Sequence, residues 1–226
     1  MNLSWSRAAL PGWAADLGYR MRFRPALKFL GVTAFMWLFF VGYFYVLRHP
    51  VRPVMTMPLT ALDHALPFSS GAFAAYVSLW LYIGIPLGLM LRARDALIYA
   101  AWAAGLCAAG LLLFYLWPTT VPASWRPQGV EGHAGFVLLQ GVDASGNACP
   151  SLHVAGATFT AFWIQRLLRK IGAPLGALAL NWLWLALIVH STIAIRQHVA
   201  LDVAGGMLLA LPFVWASMRL WRPGPR

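Results

Sequence analysis

The sequence predicts an all-α fold, an integral membrane bundle of six transmembrane helices. Of its 226 residues, 61% are hydrophobic and only 10% are charged, whereas a soluble globular domain carries roughly 25% charged residues. The apolar residues gather in runs long enough to cross a hydrocarbon core of about 30 Å. Backbone groups in lipid must pair within their own segment, and no alternating strand pattern indicates a barrel, so these runs are predicted to be helices.

Six apolar runs define the predicted spans, at residues 27–47, 72–91, 96–117, 151–168, 174–194 and 198–219. Residues 1–26 lack the short apolar core and cleavage site of a signal peptide, and we expect them to form a cytoplasmic or interfacial segment. Neither an internal repeat nor a low-complexity segment divides the chain, so one domain of residues 1–226 is predicted.

The basic residues predict the orientation of the bundle. The chain has 17 Lys and Arg residues, and under the six-span layout four of them lie opposite the termini, namely Arg48, Arg52, Arg126 and Arg196. Cytoplasmic loops are richer in Lys and Arg than external loops. Both termini are therefore predicted to be cytoplasmic, and the loops at about 48–71 and 118–150 external. In a bacterium the external loops of this multi-pass protein would face the periplasm from the inner membrane.

The net charge of +11 fits this orientation signal and contact with anionic lipid headgroups, so the bilayer is the predicted partner and nucleic acid is not. The first external loop contains Leu59, Leu62, Ala65 and Leu66, whose spacing predicts a short interfacial helix. Asp63 and His64 in that loop could touch a substrate, but solvated loop residues are the expected reading.

Asp202 is an acidic residue at the start of the sixth apolar run, where its burial has to be compensated. His198 lies four residues earlier, so on a helix the two side chains share one face. A carboxylate that holds one imidazole nitrogen fixes the tautomer and stabilises the imidazolium, which leaves the other nitrogen as a nucleophile or base. The pair is therefore a candidate catalytic unit.

A second candidate lies at the start of the fourth span, where Pro150 favours a helix start and Ser151 and His153 follow in the first turn. Helix N-termini bind anions, and a histidine there can protonate a leaving oxygen. In the six-span layout these residues and the His198 pair fall at external ends of spans. Arg126 and Arg196 lie on the same side against the positive-inside trend, and a bound phosphate would explain both.

Three sequence segments resemble the motifs of the type 2 phosphatidic acid phosphatase superfamily. "PSLH" at 150–153 and "STIAIRQHVALD" at 191–202 are similar to PSGH and SRxxxxxHxxxD, and "TTVPASWRP" at 119–127 is similar to KxxxxxxRP. Thr119 stands in place of the lysine, Leu152 in place of the glycine and Thr192 in place of the arginine. This reduced pattern resembles the branch that includes inositol phosphorylceramide synthase.

The resemblance implies an enzyme that cleaves a lipid phosphate ester in two steps, without cofactor or metal. His198 would attack phosphorus to form a phosphohistidine, Asp202 would stabilise it, and His153 would protonate the leaving alcohol. The phosphate would be bound by the remaining candidate residues, Ser151, Arg126, Arg196, Thr192 and Ser191. With water as acceptor the enzyme is a phosphatase, and with a lipid or polyol hydroxyl it is a headgroup transferase.

Two other classes of protein remain open at this point. Two histidines and an aspartate could ligate zinc with an open position, as in a membrane metallohydrolase. A lipid transporter or structural membrane protein would use His198 and Asp202 as a proton relay or as contacts between helices.

Overall fold

The computed structural model describes residues 12–127, 135–137, 139 and 145–221, and these are mostly helical. Residues outside those ranges, which include Arg7, His133, Arg222 and Arg226, belong to the sequence-based layout alone. The helices are α1 Trp13–Arg22, α2 Pro25–Arg48, α3 Ala61–Ala65, α4 Phe73–Val77, α5 Leu79–Tyr82, α6 Ile85–Leu89, α7 Ala93–Leu116, α8 Leu152–Lys170, α9 Leu175–Ala194 and α10 Ala200–Leu220.

Four of the described helices are long and apolar enough to cross a membrane, namely α2, α7, α9 and α10. The chain is therefore a helical membrane protein. The predicted second span is not one uninterrupted helix, because α4, α5 and α6 follow each other with breaks at Ser78 and Gly84. Pro86 lies in the first turn of α6, where its missing N–H costs nothing, and it favours a new helix start over a continued helix.

Helix α8 is the centre of the bundle, in contact with α5, α6, α7, α9 and α10. Its apolar side chains are almost fully buried, among them Val154, Phe159 and Trp163. Two of its buried polar side chains bond to neighbouring helices, since Thr160 Oγ1 lies 3.2 Å from Tyr99 Oη and Gln165 Oε1 accepts 3.2 Å from Asn181 Nδ2. Burial in protein rather than lipid explains why α8 is less apolar than the four candidate spans, since polar side chains between helices hold partners there.

A short parallel ladder, which the all-α prediction does not include, joins the loop after α2 to the loop after α7. Strand β1, Met55–Thr56, pairs with β2, Thr119–Thr120, and Thr119 also bridges to Asn147. Each strand has two residues, so no sequence periodicity could reveal it. The ladder brings together three loop segments that are far apart in sequence.

Helices α8 and α10 approach each other closely at Gly206. A Cβ atom at this position would lie 2.4 Å from the carbonyl oxygen of Ser151 and 3.1 Å from Val154 Cβ. Real Cβ atoms do not approach backbone oxygen so closely, so only glycine allows this contact. At the other end of α10, Trp221 Nε1 donates a hydrogen bond of 2.9 Å to the buried Asp95 carboxylate.

Substitution Gly206→Ala should destabilise the protein by about 1–3 kcal/mol, because the added methyl forces α8 and α10 apart. Thermal unfolding in detergent micelles measures the effect. Gly176→Ala is the matched control, since a Cβ at Gly176 in α9 meets no atom within 4 Å and alanine favours a helix. Equal melting temperatures for the two variants would contradict the close contact at Gly206.

Candidate active site

His198 lies in the short connection between α9 and α10, with its side chain largely buried. Its Nδ1 is 3.1 Å from the carbonyl oxygen of Ala148 and 3.5 Å from Asp202 Oδ2. A carbonyl oxygen only accepts hydrogen bonds, so Nδ1 carries the hydrogen in the neutral ring. Nε2 then keeps its lone pair and is the ring nitrogen available for reaction.

Asp202 is fully buried in the first turn of α10. Its Oδ2 accepts a hydrogen bond of 2.9 Å from the Val199 backbone N–H, which fixes the carboxylate beside His198. Oδ1 has no hydrogen-bond partner among the described residues. The shorter contact of the His198 ring is to Ala148, so the carbonyl orients the imidazole, and the carboxylate is close enough to stabilise a positive charge on it.

Ser151 and His153 open α8, which the sequence predicted to begin there. The Ser151 hydroxyl caps the helix by accepting from Val154 N at 3.2 Å, and its own backbone N–H donates 2.9 Å to the Asp202 carbonyl oxygen. His153 Nε2 is 3.0 Å from the Tyr76 carbonyl oxygen, and the His153 ring stacks on the Tyr76 ring at 3.9 Å between centroids. In neutral His153, Nδ1 is therefore the nitrogen free to take up a proton.

Both histidines line one end of a cavity of about 720 Å³, and they are close enough to interact electrostatically. The walls are apolar and come mainly from α2, α7 and α8. The cavity extends along α2 from Tyr43 to Lys28, a distance of about 22 Å at the rise of an α-helix. The two imidazoles thus stand at one end of a long apolar chamber.

Two further polar side chains line the same end of the cavity, Asn147 and Gln197. Asn147 Nδ2 donates to Tyr43 Oη. No hydrogen bond of the Gln197 side chain is found within the part of the chain that the structure describes. The sequence analysis did not single out either amide. For Gln197 the available signal was its position directly before His198 in the motif.

The predicted phosphate-binding arginines lie beside the site and do not line the cavity. Arg196 adopts a positive φ of 59°, and its guanidinium carbon lies 4.7 Å from the centre of the Trp125 ring and 5.7 Å from that of Phe68. Its Nε is buried without a hydrogen-bond partner among the described residues. Arg126 directly follows the turn of 3-10 helix that ends at Trp125.

The hydroxyls of Ser191 and Thr192 are used within their own helix. Ser191 Oγ donates 2.6 Å to the Ile188 carbonyl, and Thr192 Oγ1 donates 2.7 Å to the Val189 carbonyl. Neither residue lines the cavity. The Thr192 carbonyl instead accepts from the backbone N–H groups of Gln197 and His198, both at 3.1 Å, and so closes the loop that carries His198.

Thr119, which replaces the motif lysine, joins the two ends of the 118–150 loop. Its buried hydroxyl accepts 2.7 Å from Cys149 N and lies 3.3 Å from the Cys149 carbonyl oxygen. Burial and the nearby Asp202 raise the pKa of the Cys149 thiol to about 11, so this thiol stays protonated near neutral pH and is not a competing nucleophile.

The expectation that Asp63 is solvated is wrong. The short helix α3, Ala61–Ala65, forms where the leucine spacing predicted a helix, and His64 is exposed as expected. Asp63, however, is fully buried rather than solvated. Its partner is Ala200 at the start of α10, a contact that local sequence could not reveal.

His198, paired with Asp202, and His153 line one end of an apolar cavity, and this arrangement defines a membrane protein with a candidate histidine site. A family model of the PAP2 superfamily matches residues 59–216. The chain belongs to this superfamily, the type 2 phosphatidic acid phosphatases that its motifs resemble, and it is therefore an enzyme of the phosphatase or phosphoryl-transfer type. No curated protein and no solved structure matches the chain.

The described residues contain no group of three or more His, Cys, Asp or Glu side chains placed to hold one metal ion. In the site, Asp202 lies beside His198, and the His153 ring is held separately by the Tyr76 carbonyl oxygen.

Substitution Thr119→Val should lower stability by about 1–3 kcal/mol, because it leaves the buried Cys149 N–H without its acceptor. Thr119→Ser keeps the hydroxyl and serves as the control. Chemical unfolding followed by tryptophan fluorescence distinguishes them. A valine variant as stable as the serine variant would show that the hydrogen bond between Thr119 and Cys149 does not stabilise the site.

Proposed function

We propose that the protein cleaves a phosphate ester of a membrane lipid through a phosphohistidine on His198, without a metal ion. The observation that carries this proposal is that His198, with Nε2 unprotonated, and His153 line the same end of one apolar cavity. A nucleophile and an acid–base group that act on one phosphorus atom must lie within reach of the same bound group.

In the first step His198 Nε2 attacks phosphorus, and the bond from phosphorus to the oxygen of the leaving alcohol breaks. The His198 ring becomes positively charged, and Asp202, 3.5 Å from Nδ1, stabilises that charge. The bound phosphate anion favours the protonated form of His153, which gives its Nδ1 proton to the departing oxygen while its Nε2–H stays on the Tyr76 carbonyl.

In the second step His153 is neutral, with a lone pair on Nδ1. It takes the proton of the acceptor hydroxyl as the acceptor oxygen attacks phosphorus, and the bond from phosphorus to His198 Nε2 breaks. Both histidines return to their starting protonation. Water as the acceptor releases free phosphate, and an alcohol yields a new phosphate ester.

Arg196 is assigned the role of stabilising negative charge on the phosphate oxygens. Arg126 and Ser151 are further candidates from the motifs. The Arg196 guanidinium carbon lies 4.7 Å from the centre of the Trp125 ring, and a guanidinium packed on an aromatic ring can donate to an anion in a bidentate way. The buried Nε without a partner among the described residues supports an anion there, since an unpaired buried N–H is costly. Ser191 and Thr192 are assigned to the loop that shapes the site rather than to the phosphate.

The lipid substrate is inferred from the walls of the cavity, which would bury a hydrocarbon chain beside the reacting headgroup. The six-span layout with cytoplasmic termini belongs to the same proposal, with α4–α6 and α8 completing the bundle and the site at the external face. In a bacterial inner membrane that face is periplasmic.

Transfer of a headgroup is the second candidate, and one observation favours it. Asn147 and Gln197 place neutral amides at the reactive end of the cavity, where they could hydrogen-bond the hydroxyls of an alcohol acceptor.

Substitution His198→Ala should lower turnover roughly a thousandfold or more, because the nucleophile is lost. His153→Ala should cost about 10²–10⁴-fold, since it removes the acid and base but not the nucleophile. The measurement is release of labelled headgroup from a labelled lipid phosphate, with acid-labile protein phosphate assayed in parallel. His190→Ala, which removes an exposed imidazole in α9, is the control. Wild-type turnover in the His198 variant would overturn the proposal.

Hydrolysis and transfer are separated by one assay with purified enzyme, chelator and a labelled lipid phosphate, with or without a lipid alcohol. Free phosphate in both samples indicates a phosphatase, and a new labelled lipid that needs the alcohol indicates a transferase. Activity is expected to survive the chelator because His198 supplies the nucleophile. Loss of activity that zinc restores would favour the metallohydrolase.

A further inference from the structure

Asp63 is a buried carboxylate outside the proposed reaction. It lies in α3, in the first external loop, and is fully buried. Its Oδ2 accepts from Thr60 N at 2.7 Å and from the Thr60 hydroxyl at 2.8 Å, which closes α3. Its Oδ1 accepts 2.7 Å from the backbone N–H of Ala200, 137 residues away in sequence.

We propose that Asp63 is a positioning residue for His198, which it holds through the first residue of α10. This inference rests on the proposed function, because it assigns Asp63 to the geometry of the same nucleophile. The Ala200 N–H belongs to the first turn of α10, where backbone N–H groups have no partner within the helix. A carboxylate from another loop therefore fixes where the catalytic helix begins.

Two carboxylates hold consecutive backbone N–H groups beside the nucleophile. Asp202 takes the Val199 N–H at 2.9 Å from within α10, and Asp63 takes the Ala200 N–H from outside it. His198 directly precedes these two residues. The backbone that carries the His198 ring is thus held from two sides, and both contacts are short hydrogen bonds to a carboxylate, which are stronger than bonds between neutral groups.

Asp63 acts through this contact and not on the substrate. Both of its oxygens are bonded to protein groups, and it does not line the cavity. Removing it should leave substrate binding nearly unchanged while the imidazole moves away from its line of attack. A misplacement of about 1 Å at a reacting atom costs about 100-fold in rate.

A matched control lies at the opposite end of the same helix. Asp95 is also a buried carboxylate, and it accepts 2.9 Å from Nε1 of Trp221, the residue that follows α10. Substitution of Asp95 should cost stability as substitution of Asp63 does, but it leaves the start of α10 unchanged. The comparison separates positioning from general stability.

The test compares Asp63→Ala, Asp63→Asn and Asp95→Asn for melting temperature, kcat and KM on the lipid phosphate that the wild type turns over. We expect kcat to fall about 100-fold in Asp63→Ala and about tenfold in Asp63→Asn, which keeps an oxygen for the Ala200 N–H, with KM within about twofold. Asp95→Asn should keep its kcat despite a lower melting temperature. Equal kcat in Asp63→Asn and Asp95→Asn would overturn the positioning role, even if Asp63→Ala did not fold.

A second readout does not depend on turnover. Hydrogen exchange of the peptide that covers residues 196–203 should speed up in Asp63→Asn and stay at the wild-type rate in Asp95→Asn. Unchanged exchange in the Asp63 variant would overturn the inference on its own. Failure of the wild type to form a phosphohistidine would instead count against the proposed function, so the two failures are distinguishable.

Discussion

The starts of α8 and α10 lie against each other at Gly206, where the missing side chain admits the Ser151 carbonyl oxygen. The Ser151 N–H then donates to the Asp202 carbonyl at 2.9 Å. This backbone contact joins the helix that begins at the "PSLH" motif to the helix that begins after His198. Because each imidazole is within two residues of its helix start, the contact sets the separation of the two rings, and the chemistry depends on that separation.

The loops at this end of the helices hold the arrangement through hydrogen bonds of two buried polar side chains. Thr119 joins β2 to Cys149, and Asp63 joins α3 to α10. Where the superfamily motif has a lysine, this chain has a hydroxyl that is bonded within the protein, so one cation of the usual phosphate site is replaced by a structural contact. The remaining positive charge near the site comes from arginines such as Arg196, held against Trp125. The site is thus less cationic than the motif implies.

Sequence could predict the elements that depend on local pattern. The long apolar runs predicted helices to within a few residues, as with 27–47 against Pro25–Arg48, and the "PSLH" and "RQHVALD" segments lie at two helix starts, as predicted. The errors have tertiary causes. The burial of Asp63 depends on a partner 137 residues away, and the pairing of β1 with β2 spans two residues per strand. Gly84 and Pro86 signal a helix break in the sequence, but hydropathy alone does not detect it because both residues lie within an apolar run.

The most direct test of the shared phosphorus position is a structure of the protein with vanadate, which mimics the trigonal-bipyramidal geometry of phosphoryl transfer. We expect vanadium bonded to His198 Nε2, with His153 Nδ1 within about 3 Å of an apical vanadate oxygen. Vanadate bound elsewhere, or bound to His198 with the His153 ring more than about 10 Å away, would contradict the assignment, because one phosphorus atom could not be served by both histidines.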